Sequence, residues 1–510
     1  RKDRRQRQMC IRDRRTHRVR LRNLDTTDKK SSRKIKYKNI PRVHQQIMEI
    51  KMGGILNRTW EMLHDGRFLK KALMIACPVA LQGMLNTIVN MVDTLMIGGL
   101  GSTAIAAVGL ANKVFFVFSL LVFGIVSGGG ILAAQFWGSG DVKNIRKVLG
   151  LCVMLAMVGA LFFVIPAIAS PKMVMRIFTT SEGSIELGAK YLRIAALCYP
   201  FIALTNVYVA MLRASNKVVF PVICSCIAIA INICLNYVLI FGKFGAPTMG
   251  VAGAACATLI ARCIEVTLVL CYVYGKKLPL ACGFKGMFGW HKTFIARFVE
   301  TSAPVIANEF MWGLGTTMYS LAYGRMGDDA VAAITIATTI QDIAVVLFQG
   351  LSAATAVILG NELGAGKLKR AEKYATQFFI LQFIVTITAG VCLILGRWKI
   401  IGIYSITPEV AMDVSRCLLV FAAYMPAKMF NYVNIVGVLR SGGDTRMCLF
   451  LDTSGVWFIG VPLAFLGALV WHLPIYWVYA LVMSEEVYKT ILGYMRYRQK
   501  KWLKNLAIQV

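Results

Sequence analysis

Charge is scarce in this sequence. Asp, Glu, Lys and Arg make up 16% of its 510 residues, against about 25% in an ordinary soluble domain. With 57% apolar residues and a mean hydropathy of +0.62, the composition excludes a disordered chain, a collagen, a coiled coil and a small disulfide scaffold. Acidic residues are scarcer still, 25 against 57 Lys and Arg. Histidine is nearly absent: His17, His44, His64, His291 and His472 all fall in the basic N-terminal region or at segment ends, so none serves chemistry inside an apolar span. No C-x-x-C occurs among the 14 cysteines. Most of them lie inside apolar runs, where Cys behaves as a small hydrophobe, which argues against a zinc or redox site. H-E-x-x-H, paired-Asp metal motifs and Gly-rich phosphate loops are also missing, which argues against a polytopic enzyme.

What is there is a series of long apolar runs. A bilayer crossing takes about 20 mostly apolar residues. Such runs lie near 72–98, 104–136, 146–169, 187–212, 218–241, 249–274, 296–323, 329–361, 373–396, 410–438, 446–470 and 474–495. The expectation is an all-α polytopic membrane protein with twelve spans. The net charge of +32 is not a nucleic-acid signal, because residues 1–51 alone hold 19 Lys/Arg against 5 Asp/Glu. That stretch has no apolar periodicity and reads as an unstructured tail or an artefact of a wrong start; a lipid- or nucleic-acid-binding arm is the alternative.

Lys and Arg also orient the spans. With both termini cytoplasmic, the inside loops carry Lys143, Arg146 and Lys147, then Arg213 and Lys217, then Lys276, Lys277, Lys285 and Lys292, then Lys367, Lys369 and Arg370. The loops on the other side hold far fewer.

Slid against itself by 226 residues, the chain matches 78–140 onto 304–366 without a gap. Thirteen of the 63 positions are identical, among them Pro78 on Pro304, Gly101 on Gly327, Gly124 on Gly350 and Gly138 on Gly364. Further on, Leu212-Arg213 matches Leu439-Arg440 with a one-residue shift. A repeat of about six spans keeps its orientation in both copies, so the halves are related by a pseudo-two-fold axis along the membrane normal. The predicted division is an N-lobe at 52–274, a cytoplasmic linker at 275–295, a C-lobe at 296–498 and a tail at 499–510. Pro78 and Pro304 are the candidate hinges.

PVALQGMLNTIVNMVDTLMIGGLGSTAIAAVGLAN with GIVSGGGILAAQFWGSGD, INICLNYVLIFGKFGAPTMGVAGAACATLIAR and GVLRSGGDTR resemble the multidrug and toxic compound extrusion (MATE) transporters, in order and in both halves. The resemblance implies efflux of drugs or organic cations from the cell across the plasma membrane, by alternating access of two lobes and in exchange for Na+ or H+. No other cofactor and no nucleic-acid partner is implied, and a monomer is expected. It implies that Asp93, fifteen residues after Pro78, is the cation-coupling carboxylate. Glu309 is a weaker transfer, since the family's acid in this span sits about one turn deeper, where Trp312 stands here; Na+ binding falls to Asp93 or Glu309. Asn232 and Asn236 replace the Asn and Asp of some members, and bind an ion or bond two helices together. The span-ten acid of some members has no clear match.

Each embedded charge needs a reason, because an ionisable group in hydrocarbon costs at least a few kcal/mol. Lys113, Asp342 and Asp452 are such charges; Lys113 is read as neutralising Asp93 or Asp342, or as facing an aqueous cavity. Arg262 and Glu265, three apart, are expected to pair on one helix face. Trp312, Tyr319, Asp342 and Lys113 are the tentative substrate cavity, with Phe115, Phe116 and Met311 as further candidates. Embedded charge is mostly acidic, which favours a cationic substrate over the pyrophosphate of a lipid-linked oligosaccharide flippase, the alternative function.

Overall fold

The computed structural model describes residues 66–404 and 406–508, and the basic stretch 1–51 lies outside them. Long apolar helices account for nearly all of the described chain. They are α1 (Gly66–Gly98), α2 (Ser102–Ser139), α3 (Val142–Ala169), α4 (Glu182–Ala195 + Cys198–Ala214, bent by 46°), α5 (Val219–Phe241) and α6 (Val251–Gly275). The second set is α7 (Lys292–Gly324), α8 (Asp328–Gly364), α9 (Leu368–Ile401), α10 (Pro408–Leu439), α11 (Thr445–Val470) and α12 (Ile475–Arg498). Among the described residues nine helices are long and apolar enough to cross a membrane, and the bent α4 is a tenth. The two remaining spans, α7 and α12, are less apolar and carry charge within them: Glu309 on α7, and Glu485, Glu486 and Lys489 on α12. The fold is a polytopic bundle of twelve helices.

Large side chains left exposed, such as Phe162, Ile165, Leu395 and Phe458, would be a liability in water and are ordinary against lipid. Each half closes on its own core. In the first, Phe118 stacks on Tyr199 with ring centroids 4.6 Å apart, among Leu149, Met211 and Val207. In the second, Phe421, Met425, Met429 and Tyr479 pack together. The 276–291 segment and the start of α7 dock on the first core: Arg146 donates to the Pro279 carbonyl (2.7 Å), Trp290 to that of Lys147 (3.1 Å), and Phe294 and Phe298 are buried within it.

The repeat is visible in the backbone. Gly101 and Gly327, which start α2 and α8, hold φ 105° with ψ 167° and 168°, a conformation open only to glycine. It is visible again where the lobes touch. A Cβ on Gly138 of α2 would overlap the Asn361 carbonyl of α8, and one on Gly364 of α8 would overlap that of Gln135 on α2. Gln135 and Asn361 are themselves repeat partners. Likewise Gly124 lies against Ile306, and Gly350 against Ala76 and Ala80; Ala80 is the repeat partner of Ile306. Residue i of one lobe meets j of the other, and the counterpart of j meets that of i, which is what a two-fold axis requires. These contacts are backbone to backbone, the packing that small residues permit in membranes. Pro78 and Pro304 both lie inside their helices, where each removes a backbone hydrogen bond.

Candidate functional site

Asp93 sits five residues before the end of α1, half-buried. Asn236 of α5, fully buried, donates Nδ2 to Asp93 Oδ1 at 2.6 Å and to Asn232 Oδ1 at 3.3 Å. Asn232 and Asn236 are four apart, so one helix face presents both. Asn232 Nδ2 in turn donates to Thr258 Oγ1 of α6 (3.3 Å), whose hydroxyl donates to the Ala254 carbonyl (3.0 Å). Three helices are thus tied to one carboxylate by a single run of hydrogen bonds.

The donors of this run are spent, and an acceptor is left over. Asn236 Oδ1 is buried and accepts no hydrogen bond, a costly state for a polar atom unless a cation or water completes it. The carboxylate has no ion-pair partner: among the described residues no Lys or Arg nitrogen comes within 4.0 Å of Asp93, and Arg262 acts on it only from farther off. Arg262 lines the same cavity, but its guanidinium is bound to Glu265 at 2.6 Å, as the three-residue spacing predicts. Glu265 also accepts from Ser225 (2.7 Å), which accepts from Gln82 (2.8 Å). No group of three or more His, Cys, Asp or Glu side chains comes together among the described residues. A cation here would be held by one carboxylate with amide and hydroxyl oxygens, a donor set suited to H+ or to a hard ion such as Na+.

The carboxylate opens into a cavity of about 500 Å³ enclosed by α1, α2, α4, α5 and α6. Phe115, Phe116, Tyr191 and Tyr199 form its aromatic wall, and Asn90, Thr94, Asn112 and Ser119 its polar one. Phe115 and Phe116 were legible as candidates. Trp312, Tyr319, Asp342 and Lys113 do not line this cavity, because the first three stand on C-lobe helices and Lys113 is exposed on α2. No ion pair joins Lys113 to Asp93 or to Asp342, which is itself exposed.

In the C-lobe, Glu309 meets Arg440, the residue that follows α10, at 3.0 Å, with side chains only 12% and 2% exposed. Arg440 also reaches Ser127 of α2 in the other lobe (3.4 Å). Asn308 donates to Asp452 of α11 at 2.9 Å, repeating the Gln82–Ser225 bond of the N-lobe. Asn431 is bound to Glu486 (2.9 Å). Tyr319 donates to Glu485 of α12 (2.6 Å), and Lys489 pairs with the same carboxylate (3.1 Å). The α12 charges were missed in the sequence, although two acids followed four residues after Glu485 by a lysine is a readable helical ion-pair spacing. Thr258 was missed as well, since a lone threonine in an Ala-rich helix gives no signal.

The model of the family described as MatE matches this chain twice, at residues 78–238 and 304–466. The matches begin on Pro78 and Pro304, at the spacing of the repeat. The chain belongs to the MatE family. MatE proteins are transporters, not enzymes. A probable multidrug resistance protein NorM of Thermotoga maritima is 24% identical over 441 residues, which cover 86% of this chain and 94% of that protein. A probable NorM of Synechocystis is 28% identical over 425 residues, covering 79% and 90%. Among solved structures, an outward-facing multidrug resistance MATE transporter matches with a TM-score of 0.78 at 18% identity, covering 84% of this chain and 95% of that one. A transporter of the same superfamily from Pyrococcus furiosus matches with 0.77 over equal shares. The fold of this MatE chain is theirs.

Proposed function

We propose that this MatE protein is a multidrug efflux antiporter of the plasma membrane, exporting drugs or organic cations in exchange for Na+ or H+, with Asp93 as the coupling acid. The observation that carries this reading is a carboxylate in an apolar bundle, held in place by Asn236 and in ion-pair contact with no Lys or Arg. An unpaired carboxylate in hydrocarbon is expensive, so the empty site favours the state in which the cavity admits water and a cation. Loading neutralises the charge and permits the state closed to that side. A bound ion shifts a two-state equilibrium only by its differential affinity for the states, and Asp93 supplies that difference. The lobes then rock about the glycine-lined crossings of α2 with α7 and α8. The aromatic wall offers π faces to a cationic substrate.

The loops after α2 and α8 and the 276–292 segment would face the cytoplasm, as their Lys and Arg indicate. A cysteine placed at 276–292 is expected to be labelled from inside only, and one at 243–248 from outside only. Labelling of the 276–292 cysteine from outside would reverse the assignment.

The deciding experiment is efflux of one fluorescent organic cation from vesicles, with Na+ and H+ gradients imposed separately. Efflux driven by one of them and lost in Asp93→Asn supports the reading; efflux indifferent to both gradients overturns it. A flippase for an anionic headgroup is disfavoured, because Arg262, the guanidinium in the cavity wall, is already paired with Glu265.

A further inference from the structure

The repeat relates the two lobes residue by residue, so it also says what the C-lobe holds where the N-lobe holds its coupling acid. Asp93 of α1 corresponds to Tyr319 of α7 at the offset of 226. From the one-residue shift onward the offset is 227. That offset places Ser225 on Asp452, and the hydrogen bonds agree: Gln82 donates to Ser225 in one lobe and its counterpart Asn308 to Asp452 in the other. The connection into α12 is three residues shorter than that into α6, since Gly250 caps α6 and Pro474 caps α12, so the offset falls to 224 and places Ala261 on Glu485 and Glu265 on Lys489. Ala261 lines the cavity of Asp93, so the counterparts of Asp93 and of this wall position, Tyr319 and Glu485, are in contact in the C-lobe.

The acid has changed helices between the lobes. In the N-lobe the first helix carries the carboxylate and the sixth lines its cavity with Ala261. In the C-lobe the first helix carries a hydroxyl, Tyr319, and the sixth carries the carboxylate, Glu485. Tyr319 donates to Glu485 Oε2 at 2.6 Å, and Gly460 of α11 makes room for both, since a Cβ there would overlap the tyrosine hydroxyl.

The cations differ as well. Arg262 bonds Glu265 and acts on Asp93 only across their shared cavity, with no ion pair between them. Lys489 turns to Glu485, Nζ to Oε1 at 3.1 Å, and is only 4% exposed. The other charges nearby are Glu486 on α12, Lys428 on α10 and Asp452 on α11, with Tyr323 of α7 at the edge. Glu486 is met by Lys428 at 3.6 Å and by Asn431 at 2.9 Å; Lys489 acts on both acids but makes its ion pair with Glu485. A buried carboxylate with one oxygen on a hydroxyl and the other on an ammonium has no need of a dissolved ion.

We propose that Glu485 and Tyr319 form the C-lobe counterpart of the Asp93 site, and that Lys489 fills it as a tethered cation. Exchangeable cation binding is then confined to the N-lobe, and removing the ammonium exposes a dormant second site for a monovalent cation. This rests on the reading of Asp93 as the N-lobe coupling acid.

The test is the cation-dependent thermal stability of purified full-length protein, with NaCl against choline chloride, at neutral and at mildly acidic pH. Wild type is expected to show one response, absent in Asp93→Asn. Lys489→Gln in the Asp93→Asn background is expected to gain a new response to Na+ or to acid, a rise of about 2–4 °C. The same chain with Glu485→Gln added is expected to lose it. No gain in the Lys489→Gln, Asp93→Asn protein overturns the proposal, and so does a Lys489→Gln protein that is recovered only when Glu485→Gln is added. The wild-type count is independent of how these variants fold. About one cation per chain, by radioactive Na+ or by proton release, is expected, and two overturns the proposal. A wild-type response that survives in Asp93→Asn instead overturns the reading of Asp93 and leaves the Lys489 result to stand by itself.

Discussion

Gly138 lies with its bare Cα against the main-chain carbonyl of Asn361 in the other lobe. The repeat returns the contact as Gly364 against Gln135, so the lobes meet by backbone twice at the same depth. Any side chain on either glycine forces the helices apart. Gly138→Val and Gly364→Val are each expected to destabilise the protein by about 1–3 kcal/mol and to reduce efflux. The decisive comparison is with Gly130→Val, where a Cβ meets nothing within 4 Å; its melting temperature and efflux are expected to stay near wild type.

Asp93→Asn keeps shape and hydrogen bonding while removing the exchangeable charge. Gradient-driven efflux is expected to fall by about 5–150-fold, the range of ordinary coupling free energies, with insertion and folding intact. Wild-type efflux rates in vesicles of this variant would pass the coupling role to another acid.

Glu309 and Arg440 form a buried pair, so their effect is expected in stability rather than in substrate choice. Glu309→Gln leaves a guanidinium buried without its counter-charge, at a cost of about 3–5 kcal/mol. The double variant Glu309→Gln, Arg440→Met removes both charges and is expected to recover most of the loss. Thermal melts of the two single variants and the double variant check this.

Gln135 fastens the C-terminal segment to the lobe crossing. Fully buried, it accepts from Leu506 N at 2.6 Å and donates to the Ser441 carbonyl at 2.7 Å. Gln135→Leu strands both main-chain groups, at about 1–3 kcal/mol each if they stay buried. The expected outcome is a lower melting temperature with faster proteolysis after Lys500. An unchanged digestion pattern would show that the segment is held by Trp502 packing instead.

Much of this protein is determined by its sequence alone. Twelve apolar runs, the 226-residue repeat and the glycines at its turns follow from periodicity and from conformations only glycine adopts, and these are local properties. Asp93 was legible through the motif that surrounds it, and Asn232 with Asn236 through their four-residue spacing. Tertiary structure alone decided which charge answers which. Arg262 finds Glu265 within its own helix, as spacing foretells, but Glu309 finds Arg440 across 131 residues, and Tyr319 finds Glu485 across 166. In a low dielectric the worth of a charge depends on the few ångströms around it, and the neighbours at that distance come from other helices. A carboxylate open to an ion and one filled by a lysine therefore read alike until the bundle closes.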